Sequence, residues 1–275
     1  MGVLQIDQSK CKKDGICAGE CPLSIIHLGT KNGFPKIVAG AEEACLICGH
    51  CVAVCPHGAL SHKNIPAKDC PEIRKELVID ADQAVQFLRS RRSIRFFKDQ
   101  PIEKETIQKL IEVARYAPTG SNSQSVEWTV FTDKDEIKKL AGHTIDMMKD
   151  VTKKMPEKAA RLPYIPLIIA AWDIGFDAVL RDAPALVISS APQKSISGMV
   201  DLSLALSYLE LFAQTLDLGT CWAGLLQDAL LSWKPLKKAV GLPENHVNHY
   251  PMMLGYPKVK YFRLPERNAP KITWK

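Results

Sequence analysis

The stretch Cys45-Leu46-Ile47-Cys48-Gly49-His50-Cys51-Val52-Ala53-Val54-Cys55-Pro56 determines how the first part of the chain is interpreted. Its spacing is C-x2-C-x2-C-x3-C-P, in which three thiolates on one loop can bind three irons of a cubane cluster, while the fourth cysteine projects toward a second cluster. Pro56 ends the loop because its ring fixes φ and it has no backbone N–H. Zinc ribbons pair two C-x2-C units across a longer gap, which this run lacks. The spacing therefore predicts an iron–sulfur site.

A second copy of this frame lies upstream, at Cys11-Lys12-Lys13-Asp14-Gly15-Ile16-Cys17-Ala18-Gly19-Glu20-Cys21-Pro22. It differs in one ligand position, where Asp14 stands in place of the second cysteine. An apolar pair follows each copy, Ile25-Ile26 after the first and Ala59-Leu60 after the second. The two copies therefore form an internal repeat.

With these two motifs, residues 1–64 resemble a bacterial two-cluster ferredoxin. The resemblance implies crossed ligation, in which each motif lends its last cysteine to the other cluster. The implied first set is Cys11, Asp14, Cys17 and Cys55. The implied second set is Cys45, Cys48, Cys51 and Cys21. Crossing would place two clusters close enough to pass single electrons between them.

Asp14 departs from the ferredoxin pattern. A carboxylate can ligate iron, but it is a harder ligand than a thiolate, so we expect this iron to be the most labile. The first site is then either a [4Fe–4S] cluster with an aspartate ligand or a [3Fe–4S] cluster. The alternative is that Asp14 only forms an Asp-Gly turn with Gly15.

Composition and charge exclude several classes of protein. The chain has 275 residues, 46% of them hydrophobic, and a formal net charge of +6 with basic residues scattered among acidic ones, which does not favour nucleic acid. Cys70 and Cys221 have no C-x2-C partner, so a reducing compartment is expected. The N-terminus has no basic-then-apolar signal, and the longest apolar run, 165–172, is broken by Pro166 and is too short to cross a membrane. We therefore predict a cytoplasmic protein, and the Asp14 site suggests a cell that avoids oxygen.

The rest of the chain predicts a connector over residues 65–81 and an α+β domain over 82–275. Helices are expected after the N-cap candidates at 80–82, from 101–103 to 117, over 133–142, and over 198–218 with Gly219 at the C′ position. Strands are expected at 126–130, 185–189 and 247–254. The stretch 143–180 is ambiguous. The helix at 198–218 is apolar on nearly every face, so it is either central in the domain or part of a subunit interface.

Three residue sets in this domain could bind a ligand. Arg91-Arg92-Ser93-Ile94-Arg95 combines guanidinium groups and a hydroxyl that suit phosphate oxygens, although a surface basic patch is the alternative. The loop 117–124 carries hydroxyls and amides that can both donate and accept hydrogen bonds, or it is only a connector. The small residues in 219–224 would let backbone N–H groups approach a flat ligand.

In their order and spacing, these sets resemble the FMN-dependent nitroreductase family, together with Gly255-Tyr256-Pro257 and a late basic residue. The resemblance covers about residues 82–275 and implies a homodimer with FMN at the interface. Arg91, Ser93 and Arg95 would hold the phosphate and ribityl end, completed by Arg267 or by Lys260 and Arg263. Pro118, Thr119, Gly120 and Asn122 would line the flavin from the partner subunit, and Ala223 and Gly224 would place backbone N–H groups near flavin N5. The implied FMN-binding set is Arg91, Arg92, Ser93, Arg95, Pro118, Thr119, Gly120, Asn122, Gln124, Ala223, Gly224, Lys260, Arg263 and Arg267.

Two further residues bear on this implied site. Cys221 would lie near the flavin, although a small buried hydrophobe is the other interpretation. Ala223 departs from the family pattern, which usually has an acidic residue before the glycine.

Together, these features predict an oxidoreductase that passes electrons through two clusters to FMN, which reduces a small nitro compound, quinone or similar acceptor. No G-x-G-x-x-G motif precedes a helix, so no Rossmann NAD(P)H domain is expected. One alternative is an FMN dehydrogenase that exports electrons through the clusters. Another is a non-enzymatic electron carrier or redox sensor. Free ferredoxin or another redox protein is the expected macromolecular partner.

Overall fold

The computed structural model of this protein describes residues 2–29 and 33–275. The described chain divides into two compact units. The first contains residues 2–79 together with 121–123, and the second contains residues 80–120 and 124–275. The domain limits predicted from the sequence, 1–64, 65–81 and 82–275, remain a prediction.

The first unit is built from short elements. They are β1 Leu4–Ile6, α1 Ile16–Gly19, β2 Ile26–Leu28, β3 Pro35–Ile37, α2 His50–Ala53 and β4 Leu60–His62. The strands form two antiparallel pairs, β1 with β4 and β2 with β3. Its described buried apolar residues are Cys17, Ile26, Val52, Ala59 and Leu60, of which Cys17, Val52 and Leu60 form one packed cluster. Apolar packing alone is a weak source of stability in so small a core.

The backbone of the first unit repeats with the same offset as the cysteines. Left-handed φ angles recur at three pairs of positions, each pair separated by the interval from Cys11 to Cys45. The pairs are Lys13 and Ile47, Gly15 and Gly49, and Ser24 and Gly58. Helices α1 and α2, and strands β2 and β4, follow the same offset. The internal repeat inferred from the motifs is therefore present in the fold.

The second unit has eight helices and four strands among the described residues. They are α3 Ala81–Ser90, α4 Lys104–Ala114, β5 Glu127–Phe131, α5 Lys134–Lys154, α6 Pro156–Ala160, α7 Tyr164–Asp173, β6 Ala185–Ala191, α8 Gly198–Gln214, β7 Gly219–Trp222, α9 Gly224–Ser232, α10 Lys234–Val240 and β8 Asn248–Gly255. The strands form one antiparallel sheet in the order β5-β6-β8-β7.

Strand β6 lies inside this sheet, and all seven of its residues are buried. Successive side chains of a strand point to opposite faces, and β6 accordingly contributes to two cores. Leu186 and Ile188 belong to the core that includes residues of α5, α9 and α10. Ala185 and Val187 belong to the core that includes residues of α4 and α8. A central sheet covered by helices confirms the predicted α+β class.

Several predicted elements are confirmed in detail. Asp80 caps α3, with its carboxylate accepting from the Gln83 amide in a capping box. The limits of strands β5, β6 and β8 lie within one or two residues of those predicted. Helix α4 begins close to its predicted start but ends at Ala114 instead of at residue 117.

Three predictions about helices were wrong. Helix α5 does not stop at Gly142, because the buried positions continue at helical spacing through Thr144, Ile145 and Met148. Pro166 does not break the apolar run, because it lies in the first turn of α7, where a proline is tolerated. Helix α8 ends at Gln214 rather than at 218.

Gly219 is the first residue of β7, not the C′ residue of α8. A side chain there would collide with Ile94, and its Cβ would lie 2.9 Å from Pro257 Cγ. Only glycine fits at this position, because the segment after Arg92 packs closely against β7. No helix in the described part of the chain is both long and apolar enough to cross a membrane.

Candidate functional site

Two cavities in the first unit are lined by the predicted cluster residues. One cavity, with about 440 Å³ of empty space partly open to solvent, is lined by Cys21, Cys45, Cys48 and Cys51. The other, with about 300 Å³, is lined by Cys11, Asp14, Cys17 and Cys55. We call the cavity with Cys11, Asp14, Cys17 and Cys55 the first cluster cavity. The cavity with Cys21, Cys45, Cys48 and Cys51 is the second cluster cavity. Each holds one of the two crossed sets that the ferredoxin resemblance implies.

The local backbone explains how each loop presents its cysteines to a cavity. Gly15 and Gly49 have left-handed φ angles of 78° and 75°, which glycine adopts without a steric penalty. Each glycine turns the chain into a short helix that carries the third ligand position of its motif, Cys17 or Cys51. The sequence therefore specifies the arrangement through spacing and two glycines.

The donor chemistry of these cavities fits iron–sulfur clusters. Burial, together with the nearby Cys48 and Cys45, raises the pKa of Cys51 to about 11, and burial and the neighbouring Cys55 raise the pKa of Cys17. Clustered thiolates in an apolar cavity thus need a cationic partner to stay charged. Within the described residues, no three His, Cys, Asp or Glu side chains converge on a single metal ion. A cubane does not require such convergence, since each ligand binds a different iron.

Two histidines that sequence reasoning missed lie at these cavities. His57 Nε2 is 3.2 Å from Asp14 Oδ2, while Asp14 Oδ1 accepts from the Ile16 amide at 3.2 Å. His62 Nε2 is 3.7 Å from Cys45 Sγ, and its ring is buried, which lowers its pKa. Neither histidine has a diagnostic spacing. The only sequence signal is that both follow shortly after Cys55-Pro56.

In the second unit, Arg91 is held by a buried carboxylate. Its Nη1 donates to Glu210 Oε1 at 3.0 Å, and Glu210 is only 6% exposed. Glu210 also accepts from Thr220 Oγ1 at 3.2 Å and from Trp222 Nε1 at 3.1 Å. This three-donor network fixes the side chain of the predicted phosphate ligand, and Glu210 was not predicted from the sequence.

A cavity with about 1370 Å³ of empty space partly open to solvent brings several basic residues together. Its described lining includes Arg91, Arg92, Lys98 and Lys260. Ser93 and Arg95 are not part of this lining, and Arg263 and Arg267 are exposed in the segment after β8. The structure therefore groups Arg91, Arg92 and Lys260, which are three of the predicted FMN-binding residues.

Ser93, Arg95 and Cys221 lie near one another beside β7. Ser93 forms a parallel bridge with Thr220, and the Ile94 amide donates to the Thr220 carbonyl at 2.8 Å. Burial raises the pKa of the Cys221 thiol, and Arg95 and a hydrogen bond from Ser93 only partly oppose this effect. Cys221 is 3% exposed, which agrees with the interpretation of a small buried residue.

Cys221 is therefore expected to resist alkylation in the folded protein. At pH 8, iodoacetamide should modify exposed Cys70 at least ~10-fold faster than Cys221, because a buried thiol with a raised pKa forms little thiolate. Peptide mapping of a time course by mass spectrometry measures both rates, and a sample unfolded in guanidinium is the control. Equal rates in the folded protein would contradict the buried, protonated state.

The loop between α4 and β5 is anchored to α8. The Gly120 amide donates to Asp201 Oδ1 at 3.0 Å, and Asp201 is 2% exposed. The second oxygen, Asp201 Oδ2, is buried with no hydrogen-bond partner among the described residues. Thr119 Oγ1 accepts from the Gln124 amide at 3.0 Å, while the Pro118 and Gln124 side chains are exposed.

Three residues of this loop, Ser121, Asn122 and Gln124, have left-handed φ angles of 52°, 53° and 47°. Non-glycine residues rarely adopt this conformation, and it is concentrated at functional sites. Asn122 belongs to the first unit, where its Nδ2 donates to the carbonyl oxygens of Leu46 and Ile47 at 3.0 Å each.

The two predicted backbone donors before α9 differ. The Ala223 amide donates to the Pro251 carbonyl at 2.9 Å, so it is already used. Gly224 is the first residue of α9, a position whose amide has no acceptor within the helix. A Cβ on Gly224 would lie 3.6 Å from the Tyr250 hydroxyl, and the Tyr250 ring packs edge-on against Trp222. Of these two amides, the Gly224 amide is therefore the one available to a ligand.

Comparison with known proteins identifies the second unit. Residues 88–256 match the family model described as the nitroreductase family. A putative NADH dehydrogenase/NAD(P)H nitroreductase from Archaeoglobus fulgidus is 27% identical over 177 residues, which cover 64% of this chain and 87% of that protein. An FMN reductase [NAD(P)H] from Bacillus subtilis is 28% identical over 153 residues, covering 53% and 55% of the two chains.

Solved structures show the same fold. A nitroreductase with bound FMN from Bacteroides fragilis has a TM-score of 0.56 at 20% identity, covering 70% of this chain and 98% of that one. Another with bound FMN, from Desulfitobacterium hafniense, has a TM-score of 0.54 at 19% identity, covering 72% and 99%. The family match spans more than half of the chain and confirms the predicted kind of enzyme. The chain belongs to the nitroreductase family of oxidoreductases.

Proposed function

We propose that this protein is an FMN-dependent oxidoreductase in which two iron–sulfur clusters carry electrons to the flavin for reduction of a small organic acceptor. One observation carries the proposal. The eight candidate ligands line two cavities as two separate sets of four, in a chain that also contains a nitroreductase domain. An iron–sulfur cluster supplies one-electron chemistry, and FMN supplies both one- and two-electron chemistry.

FMN binding is supported by the two neighbours that contain it and by the groups available in this chain. Arg91, Arg92 and Lys260 would bind the phosphate, since guanidinium and ammonium groups donate charge-assisted hydrogen bonds to its oxygens. Glu210 holds the Arg91 side chain in place, which limits the entropy lost when a ligand binds. Ser93 and Arg95 would extend the polar surface toward the ribityl chain.

The flavin itself would be lined by the loop 117–124 and the start of α9. Asp201 Oδ1 fixes the Gly120 amide, and this anchors the loop carrying Pro118, Thr119 and Gln124. The Gly224 amide would donate to the ring system, because it has no intrahelical acceptor. Asn122, Ala223, Arg263 and Arg267 stay in the proposed set through the family resemblance alone.

We also propose a cytoplasmic homodimer that accepts electrons from free ferredoxin or another redox protein. Helix α8 supports the dimer, since Met199, Val200 and Tyr208 are 40%, 60% and 41% exposed in the single chain. Apolar surface on an otherwise buried helix suits a subunit interface. Thiolate ligands for iron favour a reducing compartment.

A second candidate function is a dehydrogenase that sends electrons outward through the clusters. The names of the Archaeoglobus and Bacillus relatives favour it, because both include NAD(P)H as a reactant. In this case NAD(P)H would reduce the flavin directly, and ferredoxin would be the acceptor.

Anaerobic rapid-mixing absorbance tests these directions. The holoprotein is mixed separately with reduced ferredoxin and with NADH or NADPH, and the cluster and flavin bands are followed in time. We expect reduced ferredoxin to bleach the cluster band first and the flavin band second. The matched control is Cys48→Ala, which should slow flavin reduction by ferredoxin without affecting any reduction by NAD(P)H. Fast flavin reduction by NAD(P)H, followed by cluster reduction, would instead support the dehydrogenase.

A further inference from the structure

His62 points its ring at the sulfur of a candidate cluster ligand. The residue ends β4, is 2% exposed, and lines the second cluster cavity beside Cys45. Its Nε2 is 3.7 Å from Cys45 Sγ, which is within hydrogen-bonding range for sulfur. Neither the motif spacing nor the family match assigns a role to this histidine.

The other ring nitrogen determines where the proton lies. The Asn64 backbone amide is 3.0 Å from His62 Nδ1 and can only donate. Nδ1 must therefore be the unprotonated acceptor, and in the neutral ring the hydrogen is carried by Nε2. The N–H bond that faces Cys45 is thus a donor, and the Asn64 amide keeps the ring in this tautomer.

We infer that His62 donates a hydrogen bond to the Cys45 thiolate and thereby raises the reduction potential of the cluster held by Cys21, Cys45, Cys48 and Cys51. The inference rests on the proposed function, since it requires that cluster. On reduction, the cluster gains one electron from an external donor, and the added negative charge is shared with its thiolates. A donor to one of these sulfurs stabilises the reduced state more than the oxidised state, and the imidazole keeps its proton throughout.

The surroundings strengthen this effect. The second cluster cavity is walled by Leu4, Ile26, Ile37 and Leu46, and a hydrogen bond is electrostatically stronger in such an apolar site than in water. In the first cluster cavity, the backbone amide of Ala59 donates to Cys55 Sγ at 3.4 Å. The imidazole at that cavity, His57, contacts the Asp14 carboxylate rather than a sulfur. Of these two histidines, His62 is therefore the one that can donate to a cluster sulfur, and it does so at one cluster.

The test is an anaerobic redox titration at fixed pH, followed by EPR, with iron and sulfide analysis of each sample. His62→Leu removes the donor, His62→Gln retains an N–H, and His50→Leu is the control, since His50 is an exposed imidazole at the same cavity. We expect His62→Leu to shift one cluster potential to a more negative value with full iron content. His62→Gln should shift it less, His50→Leu should not shift it, and the other cluster should keep its potential in all three.

Unchanged potentials in a fully loaded His62→Leu protein would overturn the role of His62 and leave the proposed function standing. Absence of iron from the wild-type protein would overturn the proposed function and this role together. If His62→Leu does not retain its iron, the larger and more flexible His62→Met provides the same comparison. A shift of both potentials by the same amount in every variant would indicate a general structural effect and would also reject the inference.

Discussion

Replacing Glu210 with alanine is expected to destabilise the second unit by about 3 kcal/mol and to weaken FMN retention. The substitution leaves the partly buried Arg91 guanidinium without its counter-ion, and it removes the acceptor of the Thr220 hydroxyl and the Trp222 N–H. Each unsatisfied buried donor costs about 1–3 kcal/mol, so the loss should exceed that of an ordinary surface substitution. Urea unfolding monitored by fluorescence and flavin content after dialysis are the measurements.

Two control variants separate this network from general damage to a helix. Glu210→Gln keeps an acceptor oxygen but removes the charge, so it should lose less stability than Glu210→Ala. Glu112→Ala, on the exposed side of α4, should stay within about 0.5 kcal/mol of the wild-type protein. If Glu210→Ala were as stable as Glu112→Ala, the network would not support the fold.

Replacing Cys55 with alanine should remove one cluster, and replacing Cys21 with alanine should remove the other. In each case, the cluster that is lost is the one that the other motif mainly binds. Cys55→Ala is expected to damage the site of Cys11, Asp14 and Cys17, and Cys21→Ala the site of Cys45, Cys48 and Cys51. Each variant should lose about half of its iron, since one of two clusters loses a ligand. Iron and sulfide analysis with EPR of the reduced protein measures the loss.

The identity of the surviving EPR signal tests the crossing. Cys55→Ala should retain the signal of the all-cysteine site, and Cys21→Ala should retain that of the aspartate-containing site. Cys70→Ala is the matched control, because this exposed cysteine lines neither cluster cavity and should keep full iron content. The opposite assignment of the surviving signals would show that each motif binds its own cluster.

The loops that carry the candidate cluster residues could be predicted from the sequence because their information is local. Cysteine spacing, a glycine at a fixed offset and a following proline are sufficient to define a loop. The same holds for the Asp80 cap of α3, where Asp80 and Gln83 satisfy each other across one turn. In these places a few neighbouring residues determine the conformation.

The supporting residues could not be found in this way because distant parts of the chain bring them together. Glu210 lies on α8, whose composition indicates an apolar helix, and only the packing of β7 and the Arg91 segment against it reveals three donors. His62 likewise reaches Cys45 from β4. Helix α5 continues past Gly142, which lies against the ring of Trp172 from a later helix, and the local sequence does not reveal this contact.

The small core of the first unit has a consequence for the protein in the cell. The buried apolar residues described for this unit are few, namely Cys17, Ile26, Val52, Ala59 and Leu60, and so small a core is a weak source of stability. Binding free energy from cluster assembly would therefore become folding free energy, as it does in other small metal-binding domains. Newly made chains that have not received iron would expose their cysteine loops to proteases. The abundance of the protein would then follow the iron supply through turnover.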